Sequence, residues 1–256
     1  MISKNKIKFI RSLESKKERY AAKLFVVEGE KIIEEILKSD LKVEEIFALD
    51  SWLNANEWLW TSKKAMVTSA TPQEIEKISF LKSPQPVVCL VKLPESIFSL
   101  SQFEGQLSLL LDRIQDPGNL GTIIRIADWF GIENIICTPD SADAFNPKVV
   151  QATMGAICRI KVSYQDFASL LPEISKTGSA IYGATLEGEN IYNTSLKSSG
   201  FIMMGNESNG IAEEWRPFLT QQLFLPNYPA GAKRSESLNV AIATSLICGE
   251  FRRRML

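Results

Sequence analysis

Three short segments of this chain of 256 residues carry polar side chains of the kinds that bind and orient substrates, each where an apolar run ends. The first is Asp112-Arg113-Ile114-Gln115-Asp116-Pro117-Gly118-Asn119-Leu120-Gly121-Thr122-Ile123-Ile124-Arg125. Here a buried strand enters a Pro/Gly turn, a helix opens near Asn119, and Arg125 follows within that helix. Its neighbours Ile123, Ile124 and Ile126 are apolar, so the guanidinium leaves the core at the helix edge. The alternative is a plain strand-to-helix loop in which Asn119 only caps the helix. The second segment, Gly205-Asn206-Glu207-Ser208-Asn209-Gly210, again ends a strand. Glycines let the backbone turn sharply or approach a ligand, and Glu207 stands between them at a catalytic type of position. Its alternative role is to cap a helix starting near Ala212. The third segment runs over 225–241. It leaves a strand at Leu225-Pro226-Asn227, crosses a Pro/Gly loop holding Lys233 and Arg234, and enters a helix at Ser237-Leu238-Asn239-Val240-Ala241. Ser237 is a natural cap, whereas Asn239 in the first turn is a poor helix former, which implies a side-chain bond the fold needs.

The sequence has no histidine. That excludes a Ser-His-Asp hydrolase, a His-ligated zinc site and a histidine general base. Neither a GxGxxG turn nor a P-loop is present, which disfavours a Rossmann-type nucleotide enzyme. Cys89, Cys137, Cys158 and Cys248 are far apart in apolar contexts, as expected of reduced core thiols in a cytosolic protein. No run of about 18 apolar residues occurs, so no membrane span is expected. The first eight residues are basic without an apolar stretch behind them, unlike a secretory signal.

A composition 45% hydrophobic and 23% charged is that of a globular protein rather than a disordered one. The formal net charge is −1, which on its face argues against a nucleic-acid partner. The distribution argues otherwise. Residues 1–23 hold Lys4, Lys6, Lys8, Arg11, Lys16, Lys17, Arg19 and Lys23 against Glu14 and Glu18, a net +6 on a body that is otherwise acidic. A basic arm of this kind suits phosphates, the alternative being a solvated helix face.

The elements that must position these segments are legible from periodicity. Strands at 24–27, 45–49, 65–67 and 86–91 alternate with short helices, one opened by Thr71-Pro72-Gln73-Glu74, and make a small α/β domain over 1–93. A linker is expected at 94–106. A second alternation over 107–256 places strands at 107–111, 134–137, 159–163, 180–184, 201–204 and 222–225. Helices fall at 122–130, at 146–154 and from 238 to about 253. Such a pattern implies a mostly parallel sheet covered on both faces.

Taken in order, Asn119-x-Gly121-Thr122-x-x-Arg125, Gly205-Asn206-Glu207-x-x-Gly210, Leu225-Pro226 and Ser237-Leu238-Asn239-Val240-Ala241 resemble the SpoU (TrmH-type) RNA 2′-O-ribose methyltransferases of the SPOUT superfamily. The first half, through Phe25-Val26-Val27-Glu28-Gly29 and the following helix, is similar to that family's RNA substrate-binding domain. The resemblance implies a SPOUT catalytic domain whose C-terminal part forms a deep trefoil knot. It also implies S-adenosylmethionine as cofactor, a homodimer with the active site near the subunit interface, and no metal.

Carried over by motif, Asn119, Arg125, Glu207, Ser237 and Asn239 are the expected active-site residues. Thr185, Leu186, Gly205, Leu225, Asn227, Ser237 and Leu238 are expected to line the cofactor pocket. Free guanidinium has a pKa of about 12.5 or more, so Arg125 is expected to hold the ribose 2′-OH and its phosphate rather than act as the base. One departure is Asn227, where the family commonly has Met, followed by a longer loop over 228–234. The implied activity is methylation of RNA, ribosomal RNA foremost. Transfer RNA as substrate, or a non-catalytic RNA-binding or ribosome-assembly protein, are the alternatives. Intact Asn119, Arg125 and Glu207 argue against a non-catalytic protein.

Overall fold

The computed structural model describes residues 1–95, 98–229 and 237–255. The protein divides into two compact units, Met1–Glu95 with Asp143–Arg159, and Ser96–Ala142 with Ile160–Leu256.

The first unit opens with α1 (Lys4–Ser12) and α2 (Lys16–Ala22). Then follow β1 (Leu24–Glu28), α3 (Glu30–Lys38), β2 (Val43–Ala48), α4 (Asp50–Ala55), α5 (Glu57–Trp60), β3 (Met66–Ser69), α6 (Pro72–Ile78) and β4 (Val87–Lys92). The strands form one sheet in the order β1-β4-β2-β3, in which β4 runs antiparallel to β1 and β2 while β2 and β3 are parallel. The helix start expected at Thr71 is a full capping box: Thr71 accepts from the Glu74 amide and Glu74 accepts from the Thr71 amide.

The basic N-terminus is not a loose arm. Ile10 and Leu13 are fully buried in the core with Val26, Phe47, Ile78 and Leu90. Three of its eight cations are committed inside the unit. Lys6 pairs with Glu45 at 2.7 Å. Arg11 donates to the Ser79 carbonyl and lies over the Phe80 ring. Arg19 is buried, where its guanidinium binds Asp143 and donates to the Leu13 and Glu14 carbonyls at 2.8 and 2.7 Å. Lys4, Lys8, Lys16, Lys17 and Lys23 remain exposed.

Asp143 reaches Arg19 because residues 143–159, with α8 (Pro147–Thr153) capped by Asn146, pack in the first unit against β1 although they follow strands of the second unit in sequence. Phe25 and Phe145 meet there at 5.0 Å.

The second unit carries β5 (Leu107–Leu111), α7 (Pro117–Trp129), β6 (Asn134–Cys137), β7 (Lys161–Tyr164), α9 (Phe167–Lys176), β8 (Ile181–Asn190), β9 (Gly200–Met204), β10 (Gln221–Phe224) and α10 (Val240–Arg253). Its six strands are all parallel, in the order β10-β8-β9-β5-β6-β7. β5, β6 and β9 are buried along their whole length, which is why 109–111, 135–137 and 201–204 read as unbroken apolar runs. The segment read as linker brings Phe98, Leu100 and Phe103 into this core, since three large apolar side chains gain more from burial than from solvent. The strand expected at 159–163 begins later, because residues 156–158 form a 3-10 turn.

α10 packs against α7 and is held at its C-terminal end by arginines. Arg252 donates to the Phe130 and Gly131 carbonyls at 2.7 and 2.8 Å. Glu250 accepts from Arg253 and Arg254, and hydrogen bonding from Arg253 first holds its pKa down at about 2. This anchorage fixes where the helix's other end, at Asn239, can sit.

A buried ion pair that loses one partner leaves a charge without compensation. Asp143→Ala is therefore expected to lower the stability of the first unit by about 3–5 kcal/mol, while the joint Arg19→Met/Asp143→Leu change recovers most of it. Urea unfolding followed by tryptophan fluorescence reads this, since Trp52, Trp58 and Trp60 lie in the first unit.

Candidate active site

The three motifs lie at the C-terminal ends of parallel strands, where ligands bind in open α/β sheets. β5 ends at Leu111 and turns into α7, whose cap is Asp116 rather than Asn119. The Asp116 carboxylate accepts the Asn119 amide at 2.7 Å, and Pro117 takes the first helical position, so α7 starts five residues before the predicted 122. With capping done by Asp116, the Asn119 carboxamide is released for other partners.

Those partners are the other two motifs. Asn119 Nδ2 donates to Glu207 Oε1 at 2.8 Å, and Asn119 Oδ1 accepts from Asn239 Nδ2 at 2.9 Å. Asn239 Oδ1 in turn accepts the Ala241 and Ile242 amides at 3.0 and 3.3 Å, making Asn239 the N-cap of α10. Asn239 is thus the cap itself and not a polar residue inside the first turn. Ser237, the cap expected from sequence, is exposed two residues upstream. Glu207 does not cap a helix near Ala212 either. The Ala212 amide goes to Asp112 Oδ2 at 2.9 Å, and the segment that follows is a 3-10 turn.

The loop that carries Glu207 is closed on itself. Asn206 and Gly210 exchange backbone hydrogen bonds of 3.0 and 2.9 Å, and Asn206 Oδ1 accepts the Ser208 and Asn209 amides. A Cβ on Gly205 would lie 2.1 Å from the Gly210 carbonyl carbon, and Gly210 has φ +65°, so both positions require glycine. Asn206 Nδ2 also donates to the Arg113 carbonyl at 2.8 Å, while the Arg113 amide donates to Thr138 Oγ1 at 2.8 Å. Arg113 is thereby held at φ +54°, an uncommon conformation for a side chain of this size. Its guanidinium lies on the fully buried carboxylate of Asp112, 3.1 Å away.

Asp112, Arg113 and Asn206 join the first two loops, a role that sequence reasoning gave to none of them. The signal available for Asp112 was a charged residue directly after the apolar run Leu109-Leu110-Leu111.

Arg125 is not part of this network. It is exposed on α7, about 9 Å along the axis from Asn119, and makes no hydrogen bond or ion pair with any described residue. Trp129, one turn further on the same stripe, is 84% exposed.

Of the expected cofactor-lining residues, Thr185 and Leu186 fall within β8, Gly205, Leu225 and Asn227 follow the adjacent parallel strands β9 and β10, and Ser237 and Leu238 precede α10. β8 is interrupted partway. Gly183 pairs with Gln222 but Glu189 pairs with Leu223, so residues 184–188 leave the ladder. Thr185 and Leu186 lie in this excursion, which Thr185 Oγ1 fastens through the Glu187 carbonyl at 2.6 Å. Leu186 is 63% and Leu238 52% exposed, aliphatic side chains without core to cover them, while Leu225 is half-buried. Gly205 follows β9, and Asn227 lies exposed after β10. Residues 230–236, including Lys233, Arg234 and most of the loop expected to be long, lie outside the described residues. Among the described residues no group of Cys, Asp and Glu is arranged to hold a metal ion.

Losing the cap of α10 has a measurable cost. Asn239→Ala is expected to destabilise the second unit by about 1–2 kcal/mol, and Asn239→Ser, which caps but is too short to reach Asn119, to recover most of this in urea unfolding.

The chain is similar to known proteins along its length. The SpoU rRNA Methylase family matches residues 106–249, and the MRM3-like substrate binding domain matches residues 4–89. The 23S rRNA (guanosine(2553)-2′-O)-methyltransferase RlmP of Bacillus subtilis is 31% identical over 248 residues, 96% of either protein. A solved structure described under the TrmH family of RNA methyltransferases, from Porphyromonas gingivalis, superposes with a TM-score of 0.87 at 37% identity over 99% of both proteins. An AdoMet-bound rRNA methyltransferase from Sinorhizobium meliloti gives a TM-score of 0.87 at 28% identity, covering 100% of this protein and 98% of the other. With all three motifs joined at one sheet edge and the family matched across more than half its length, the chain belongs to the SpoU rRNA methylase family.

Proposed function

We propose that this protein transfers a methyl group from S-adenosylmethionine to a ribose 2′-oxygen of ribosomal RNA. The observation that carries the proposal is the hydrogen-bonded series Glu207–Asn119–Asn239, which makes one unit of three strand-end motifs. The rRNA-modifying relatives, matched here over nearly the whole length, favour ribosomal over transfer RNA. Intact catalytic motifs favour turnover over binding alone.

In this proposal Thr185, Leu186, Gly205, Leu225, Asn227, Ser237 and Leu238 hold the cofactor, and the leucines cover its apolar parts. S-adenosylmethionine supplies a methyl already activated on a sulfonium. The bond from the 2′-oxygen to that carbon forms as the carbon–sulfur bond breaks, and the hydroxyl proton leaves to a neighbouring phosphate or water. Because the donor is activated, placing the 2′-oxygen in line supplies most of the catalysis. Glu207, oriented by Asn119, accepts from ribose hydroxyls. Arg125 donates to the 2′-oxygen and its phosphate, where charge develops. Its guanidinium stays protonated throughout.

The finer architecture also belongs to this proposal. The polypeptide that follows β9 passes through the loop preceding it as a deep trefoil knot, an exception to ordinary topology. The working form is a homodimer. Trp129 on α7 and Ile242 and Leu246 on α10 are exposed on two helices packed together, an apolar face that a second copy would cover. Arg125 shares the Trp129 stripe and would then lie at the subunit boundary. No helix among the described residues is long and apolar enough to cross a membrane; in this proposal the protein works in the cytoplasm, a reading that a ribosomal RNA substrate supports.

Radiolabelled S-adenosylmethionine and ribosomal RNA lacking the modification test the proposal. The wild type is expected to yield a 2′-O-methylnucleoside. Arg125→Ala is expected to lower kcat by about 100-fold or more with cofactor affinity within about threefold. Absence of transfer by the wild type would refute it.

A further inference from the structure

The first unit exposes aromatic rings beside lysines in more than one place, and their electrostatic settings differ. At Trp58 the nearby Lys38 is already paired with Glu34 at 2.6 Å, with Glu35 next to it, so the site offers a phosphate little net charge. At Tyr20 the balance is opposite. Lys16 and Lys17 precede Tyr20 by four and three residues on α2, which puts both on its side of the helix. Lys23, three residues on, is the exposed C-cap; its carboxylate neighbour Glu95 stands 3.9 Å away with both side chains in solvent, a far looser pair than Lys38–Glu34. Glu18, the only carboxylate of α2, projects about 200° around the helix from Tyr20. Asp143, which lies nearest the ring, is neutralised by the buried Arg19 guanidinium.

The ring itself is held at one end and bare at the other. Its hydroxyl donates to Asp143 Oδ1 at 3.3 Å, yet the residue is 44% exposed. Burial and then the Asp143 carboxylate push the phenol pKa up to about 12, so the donor stays protonated under physiological conditions. A core tyrosine would be covered, and a purely solvent-facing one would be unanchored. Anchorage removes most of the entropy that a stacking partner would otherwise have to take from the ring. The Lys16 ammonium stands 5.9 Å from the ring centroid, at the outer range of a cation–π contact.

We propose that α2 is a docking platform for an unpaired nucleotide of the RNA substrate, with the base stacked on Tyr20 and the flanking phosphates held by Lys16, Lys17 and Lys23. This rests on the RNA reading above and adds to it the surface used and the form of RNA it accepts. Stacking tolerates any base because each has a π-face, so the platform selects single-stranded over paired segments. It gives the first unit a way to choose a loop or bulge in structured RNA without reading sequence.

The test uses the full-length protein with a short oligoadenylate and a blunt RNA duplex of equal length as probes. Tyr20→Leu is expected to weaken oligoadenylate binding by about fivefold or more and duplex binding far less. Tyr20→Phe, which keeps the ring and loses the anchoring hydroxyl, should fall between wild type and Tyr20→Leu. Lys16→Gln with Lys17→Gln should lower the salt slope for oligoadenylate by about 1.4.

The platform is overturned if the wild type does not bind oligoadenylate, if Tyr20→Leu binds it as tightly as wild type, or if the Phe and Leu variants lose equally. Methyl transfer to ribosomal RNA by the same wild-type preparation separates this from the enzymatic reading. Transfer with ring-independent binding sinks the platform alone, and ring-dependent binding without transfer sinks the enzyme alone.

Discussion

A carboxamide has one edge that only donates and one that only accepts, and the site of this protein depends on which way that of Asn119 faces. Glu207 offers only acceptors, so Asn119 must turn its NH2 toward it. Its oxygen then faces Asn239, which must present its own NH2. The Asn239 oxygen is left toward the first amides of α10, where a helix needs an acceptor. One carboxylate therefore sets two amide orientations and one helix start. No member of the series can be reversed without placing donor against donor or acceptor against acceptor. Each bond alone contributes about 1 kcal/mol; their value lies in fixing three loops relative to one another.

The rest of the second unit holds the ends of that series still. Asp116 takes over the capping of α7 and so frees Asn119. Asn206 and Asp112 tie the Glu207 loop to the strand end of β5. Arg252 fastens the far end of α10 to the Phe130 carbonyl, and Arg254 fastens it to the Ile191 carbonyl. In the first unit a comparable role falls to Arg19 and Asp143, which bind the N-terminal helices to a segment distant in sequence.

Much of this was legible in the sequence. Polar, Gly-containing turns directly after apolar runs marked the three loops, and the apolar runs themselves marked a parallel sheet buried on both faces. What escaped was the division of labour among neighbouring polar residues. Asp116 and Asn119 are both competent caps, as are Ser237 and Asn239, and local propensity does not say which will be drawn away by a distant partner. Asp112 and Asn206 act across about a hundred residues of sequence, beyond any periodicity. The charge count erred in a similar way: Lys6, Arg11 and Arg19 look like part of a phosphate-binding arm, but the first pairs with Glu45 and the other two serve the core. Only packing reveals that three of the remaining exposed lysines, Lys16, Lys17 and Lys23, stand near an anchored ring.

If the Asn119 carboxamide makes one device of the three motifs, its parts cannot fail independently. A double-mutant cycle on methyl transfer to ribosomal RNA, with Asn119→Ala, Glu207→Ala and the two combined, measures this directly. The account predicts that the double variant is no slower than the slower single variant, to within about threefold. A double variant whose loss is the product of the two single losses would contradict it.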